Sequence, residues 1–169
     1  ISVARRDPGC LSSPTRGFCA GGVQHPSTPS RVTIIDVVTI ASKGNAIKFG
    51  DLSQTKGMGN NGCSSSVRGL FAGGQAPYTT NMIDYITMAS SGNAIVFGEL
   101  TTVRNNVAAV STQIRGVFGS GFDSPSTITD TIDYVTIAST GDAVDFGDMS
   151  IARAQNSAVS DSHGGLGGF

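Results

Sequence analysis

The chain has 169 residues, 23 of them glycine and none tryptophan, and only 14% are charged. Eleven basic against twelve acidic residues leave a net charge of −1, which gives no electrostatic footprint for nucleic acid or for an anionic membrane surface. No apolar run approaches the roughly 18 residues that a membrane-spanning helix needs, and abundant glycine with modest polarity favours short strands over long helices.

In chain order, the opening "ISVARRDPGCLSS" lacks an initiator Met and the basic-then-apolar pattern of a signal peptide, as expected of an internal or processed piece of a longer product. "RGFCAGG" from Arg16 then reads as a short apolar strand running into paired glycines that suit positive φ. After the loop "VQHPSTPSRVT" come an alternating segment, "IDVVTIASKG", and "NAIKFGDL". The same order returns as "RGLFAGG" from Arg68, "QAPYTTN", "IDYITMASSG" and "NAIVFGEL". It returns again as "RGVFGSG" from Arg115, "FDSPSTITDT", "IDYVTIASTG" and "DAVDFGDM". The three arginines lie 52 and 47 positions apart, and Phe49, Phe97 and Phe146 lie 48 and 49 apart, a period that signals a repeat architecture.

Within the second unit, "MIDYITMAS" alternates, with Ile83, Tyr85 and Thr87 on one face and Asp84, Ile86 and Met88 on the other, and stops at a tight Ser-Gly-Asn turn. "NAIVFGEL" predicts a third strand with a bulge or bend at its glycine, and "TTVRNNVAAVS" a weaker fourth. The fold class is therefore all-β, with repeats of about 48 residues and four short antiparallel strands each, the pattern of β-propeller blades. An open stacked β-array is the alternative. The boundaries are 1–15 for the last strand of a preceding repeat, 16–67, 68–114 and 115–162 for three repeats, and 163–169 for the start of a further repeat or a closing strand. One strand, three units of four and a closing strand make about three and a half blades. A lone chain would then leave exposed edges to be covered by another copy, by the rest of a longer chain or by a neighbour in a filament.

The repeated unit resembles a kelch-type blade. The resemblance rests on the paired glycines Gly73 and Gly74 after an apolar strand, on Tyr85 in the next strand, and on the aromatic-then-Arg order of Phe97 and Arg104. It departs from kelch units in having no Trp and in the Gly-Ser-Gly at Gly119 to Gly121. The phrase "IDYVTIASTGDAVDFGDMSIAR", closed by "SDSHGGLGGF", resembles repeat segments in virion proteins of tailed phages, particularly those of cyanobacteria. That resemblance implies a virion or extracellular location.

Residues present in every unit solve a problem every unit has. Arg16, Arg68, Arg115, Asp36, Asp84, Asp133, Phe49, Phe97 and Phe146 are accordingly expected to be structural, each aspartate bonding a nearby arginine or a turn N–H. Asp51, Glu99 and Asp148 follow a glycine and suit turn capping; calcium ligation is the sharper alternative, although no loop carries the dense acidic pattern of a recognised calcium site. Cys10 and Cys63 sit at nearly matching places in consecutive units, too far apart to bond, and the expectation for Cys10, Cys19 and Cys63 is free, buried small hydrophobes. Nothing has Cys-x-x-Cys spacing for a metal. The two histidines, His25 and His163, lie in loop-like sequence, and no serine occupies a Gly-x-Ser-x-Gly elbow. No catalytic residue, metal or cofactor is therefore expected.

The connections after the glycine pairs differ in length and composition while their flanks barely change, and function is often placed on such loops. His25, Gln75, Tyr78, Phe122 and Asp123 are the candidates for contact with a glycan or protein. The sequence thus leads to a non-enzymatic structural or binding module of a phage tail or fibre, a homo-oligomer or part of a longer chain, with a surface glycan or host receptor as partner. The alternative is a subunit of a bacterial surface filament assembled through open strand edges.

Overall fold

A computed structural model describes residues 1–24, 31–57, 59, 62–76, 78–123 and 126–160. The fold is all-β, with no helix among the described residues. The first part of the chain forms β1 (Arg5–Arg6), β2 (Gly9–Ser12), β3 (Arg16–Ala20), β4 (Val23–Gln24), β5 (Ile34–Thr39) and β6 (Ile47–Asp51). The second forms β7 (Gly62–Ser64), β8 (Arg68–Ala72), β9 (Gln75–Ala76), β10 (Tyr78–Thr79), β11 (Met82–Thr87) and β12 (Ile95–Glu99). The third forms β13 (Ala108–Ser111), β14 (Arg115–Gly119), β15 (Thr131–Thr136) and β16 (Val144–Asp148). They assemble into three four-stranded antiparallel meanders, β2-β3-β5-β6, β7-β8-β11-β12 and β13-β14-β15-β16, with two short ribbons, β1-β4 and β9-β10. None closes into a barrel.

The sheets are out of phase with the sequence units by one strand. The segment read as the fourth strand of each unit pairs with the first strand of the next: Ser111 opposes Gly116, and Ser12 opposes Gly17. The result is three complete sheets in place of three and a half. A tight turn fixes this partition. Ser13 Oγ accepts from Arg16 N at 3.0 Å, Ser65 Oγ from Arg68 N at 3.1 Å, and Thr112 Oγ1 from Arg115 N at 3.1 Å. A hydroxyl three residues before each arginine thus folds the chain back on itself.

The third and fourth strands of each sheet share one irregularity. Ile83 opposes Gly98 but Asp84 opposes Val96, leaving Phe97 as the extra residue of a bulge. Phe49 and Phe146 are extra in the same way. The bulge aims each phenylalanine out of the sheet. Phe49 meets Phe18 edge-on at 5.2 Å, and together they pack on Phe71, Ile86, Met88 and Ala94 from the second sheet. Phe97 with Leu70, Ile83 and Leu100 packs in turn on Phe118, Val135 and Ile137 from the third. The core therefore consists of layers between successive sheets. Phe49 and Phe97 are 4% and 3% exposed, whereas Phe146, whose layer has one side only, is 56% exposed.

Candidate functional site

The aspartates at the middle of each sheet are buried, and their partners come from the connector that precedes the sheet. Asp36 pairs with Arg5 at 2.9 Å and accepts from Ser2 N and Oγ at 3.0 and 2.6 Å. Asp84 pairs with Lys56 at 3.1 Å and accepts from Ser53 Oγ at 2.5 Å. Asp133 pairs with Arg104 and accepts from Thr101 Oγ1 at 2.6 Å. The cations are anchored elsewhere: Lys56 O accepts from Gly22 N of the first sheet's glycine pair at 2.7 Å, and Arg104 O from Gly74 N of the second at 2.9 Å. Each of these two pairs is hung on one sheet and clamps the next. Burial pushes the Lys56 ammonium and the Arg104 guanidinium below their ordinary ranges, while the facing carboxylates pull them back up.

At the second glycine pair this contact itself requires glycine. Gly73 and Gly74 have φ of 67° and 105°, and a Cβ on Gly73 would lie 2.4 Å from Arg104 O.

Arg16, Arg68 and Arg115 do not meet these aspartates. Arg16 Nη1 donates to the carbonyls of Met88 and Ala89 at 2.9 and 3.2 Å, and Arg68 Nη1 to those of Ile137 and Ala138 at 3.0 and 2.8 Å, so both bridge from one sheet to the next. Arg68 and Arg115 also lie over the rings of Tyr85 and Tyr134 at 4.8 and 4.9 Å. The carboxylates after the third glycine are dispersed. Asp51 is held by Lys48 and Thr33 at 2.7 and 2.9 Å, and Lys48 keeps its carboxyl below the usual range. Glu99 accepts from Asn81 at 3.0 Å, and Asp148 is exposed at the end of β16. Among the described residues no group of three or more His, Cys, Asp or Glu side chains comes together.

Of the loop candidates, Gln75 Oε1 accepts from Arg31 Nη2 at 2.8 Å, tying the first variable loop to the second. Asn105 Nδ2 donates to Thr79 Oγ1 at 3.3 Å, and the same Asn105 exchanges both backbone bonds with Phe122, so the second and third loops adjoin through it. Tyr78 is 83% exposed on this surface; Phe122 and Asp123 are half-buried, and Asp123 N donates to Thr127 O at 2.8 Å. His25 and His163 lie outside the described residues.

The cysteines depart most from expectation. Cys63 occupies the register of Leu11, not Cys10, because each opposes the third residue of its partner strand, Leu70 and Phe18. A one-residue slip puts Cys10 and Cys63 on opposite faces. Cys10 instead stands directly across from Cys19, with Sγ atoms 3.1 Å apart, and is exposed. The hydrogen bond with Cys10, helped by Arg5, lowers the Cys19 thiol to about 6 and drives Cys10 upward, while burial pushes Cys63 up to about 12. Oxidised glutathione is therefore expected to oxidise one pair: Cys19 thiolate attacks its disulfide, releasing one glutathione thiolate, and Cys10 displaces the second. Thiol titration in denaturant should fall from three groups to one; three remaining would refute the pairing.

A shallow groove of about 310 Å³ runs across the first strands, lined by Pro8, Cys10, Gly62, Ala109, Ser157 and Ala158. Its lining is of small side chains, with Cys10 the one titratable group among them. No protein-family model matches the chain, and no curated protein matches it.

Proposed function

We propose that the three sheets are kelch-like β-propeller blades of a non-enzymatic structural and binding module, part of a phage virion tail or fibre, that presents its variable loops to a glycan on a host surface. The observation carrying this reading is a division of labour. The positions that recur in every unit are occupied by sheet-to-sheet contacts, as with Arg16, Arg68, Asp84 and Phe97. The positions that vary adjoin on one surface, where Gln75 meets Arg31, Asn105 meets Thr79, and Tyr78 projects into solvent. An exposed tyrosine among short polar side chains is the composition of a weak, adaptable sugar or protein contact, and several such loops on one rigid frame multiply weak binding.

The test is adhesion of the labelled protein to intact bacterial cells and to a glycan array. Tyr78→Ala is expected to keep the melting temperature within the spread of surface substitutions and to weaken binding about tenfold, the effect of losing an aromatic anchor. Undiminished binding by this variant would remove the loop surface from the reading.

A further inference from the structure

Every seam between sheets is built from the same contacts. At the first, Ala94 N donates to Asp51 O at 2.8 Å, Gly92 N to Phe49 O at 3.1 Å, and Asp51 N to Asn93 Oδ1 at 3.1 Å. At the second, Ala143 N donates to Glu99 O at 2.7 Å, Gly141 N to Phe97 O at 2.9 Å, and Glu99 N to Asp142 Oδ1 at 3.0 Å. Behind these bonds lie Ile86 and Met88 at one seam and Val135 and Ile137 at the other, all 3% exposed or less.

The molecule also carries both halves of a third such seam, unjoined. On the outward face of the third sheet, Phe146 meets Tyr134 edge-on at 5.9 Å and is itself 56% exposed, and a Cβ on Gly147, the counterpart of Gly50 and Gly98, would meet no atom within 4 Å. Arg115, the counterpart of Arg16 and Arg68, makes no guanidinium hydrogen bond among the described residues. On the outward face of the first sheet, Val38 and Ile40, the counterparts of Ile86 and Met88, are 38% and 58% exposed.

We propose that a second copy of this chain docks head to tail, its first sheet covering the third sheet of the copy before it. Phe146 then enters the layer formed by the partner's Val38 and the partner's Ile40. Arg115 bonds the carbonyls at the partner's Ile40 and the partner's Ala41, and the backbone of Asp148 meets the partner's Asn45 and the partner's Ala46. What selects this occupant is continuity: the two half-seams complement each other position by position, as Phe49 complements Met88 and Phe97 complements Ile137. A contact joining two different faces is heterologous, so it builds rings or fibres and not closed dimers.

The seam holds two segments for one place. Arg153 O accepts from Gly121 N at 3.0 Å, as Lys56 O and Arg104 O do from their glycine pairs, and Ser160 Oγ accepts from Ser111 N at 3.2 Å, as Ser111 Oγ does from Ser64 N at 3.1 Å. Residues 149–160 therefore stand where residues 1–12 of the incoming copy stand, and Arg153 competes with the partner's Arg5 for the partner's Asp36. One segment has to withdraw, which makes association slow.

The experiment is sedimentation velocity on the full chain with Phe146→Asp and Ile40→Asp, both at exposed positions, and with Arg115→Glu as a second variant of the Phe146 face. Wild type is expected to form larger species with rising concentration, and each variant alone to stay monomeric. An equimolar mixture of Phe146→Asp and Ile40→Asp should form heterodimers, because one sound half-seam remains on each. A wild type that stays monomeric at millimolar concentration overturns the proposal. So do single variants that still associate, and a mixture that does not pair. None of these outcomes depends on whether the loops bind a glycan, so this proposal and the adhesion reading fail separately.

Discussion

Asp84→Asn is expected to destabilise the fold by about 3–5 kcal/mol, the usual cost of stranding one member of a buried ion pair. The substitution preserves shape and still offers Ser53 an acceptor at the place of Oδ1. What it removes is the countercharge of Lys56, whose side chain is fully buried and whose other contact is the carbonyl of Met82 at 2.8 Å. Melting temperature should fall by roughly 10 °C in a chain of this size. Burial already pushes the Lys56 ammonium down, and without Asp84 the opposing pull is gone, so the folded pKa drops further below the ordinary value of 10.5. The sign follows: between those two values the unfolded state binds more protons than the folded one, so the variant gains stability as pH rises from its folded pKa toward 10.5. Lys56→Met with Asp84→Asn removes both charges and should recover more than half of the loss. A single variant that loses less than about 1 kcal/mol, or a double variant no better than the single, would show that the pair is not the clamp described above.

Much of this architecture was legible because the units repeat. The alternation of "MIDYITMAS" placed Ile83 and Tyr85 against one layer and Asp84, Ile86 and Met88 against the other, and the two core clusters divide the same way. Partition of strands was not legible from periodicity, since a meander cut anywhere has the same period. The local signal lay in Ser13, Ser65 and Thr112, three residues before each arginine, whose hydroxyls close the turn between the first two strands. The pairing of these cations with the buried aspartates was not legible for a related reason. "SVAR", "SQTK", "TTVR" and "SIAR" align across the chain, but Lys56 breaks the arginine pattern and each partner is 28 to 31 residues from its aspartate. Coulomb attraction has no sequence period. The Cys10–Cys19 pair depends on a register that shifts by one residue between Cys10 and Cys63, a difference that spacing counted from the arginines cannot resolve.

Gly98→Ala is expected to cost about 3 kcal/mol or more, although alanine is the smallest addition a glycine can receive. A Cβ there would stand 2.2 Å from Gly141 O and 2.4 Å from its carbonyl carbon, and neither is the end of a flexible side chain able to rotate aside. The carbonyl belongs to the hairpin whose neighbours, Asp142 and Ala143, bond both backbone groups of Glu99 at 3.0 and 2.7 Å. Separating the hairpin from β12 to admit the methyl would lengthen those bonds and lift Phe97 from its layer. Gly50→Ala should behave alike, with Gly92 O only 2.0 Å away. Gly44→Ala is the internal control: no atom lies within 4 Å of its Cβ and its φ is not positive, so thermal melting of the monomeric protein should change little. Equal melting temperatures for Gly98→Ala and Gly44→Ala would mean that successive sheets are not held at backbone contact, and the layered core would lose its main geometric support. A large loss at Gly98 alone would place a substantial part of the stability in the seams between sheets, where glycine is required by proximity more than by turn conformation.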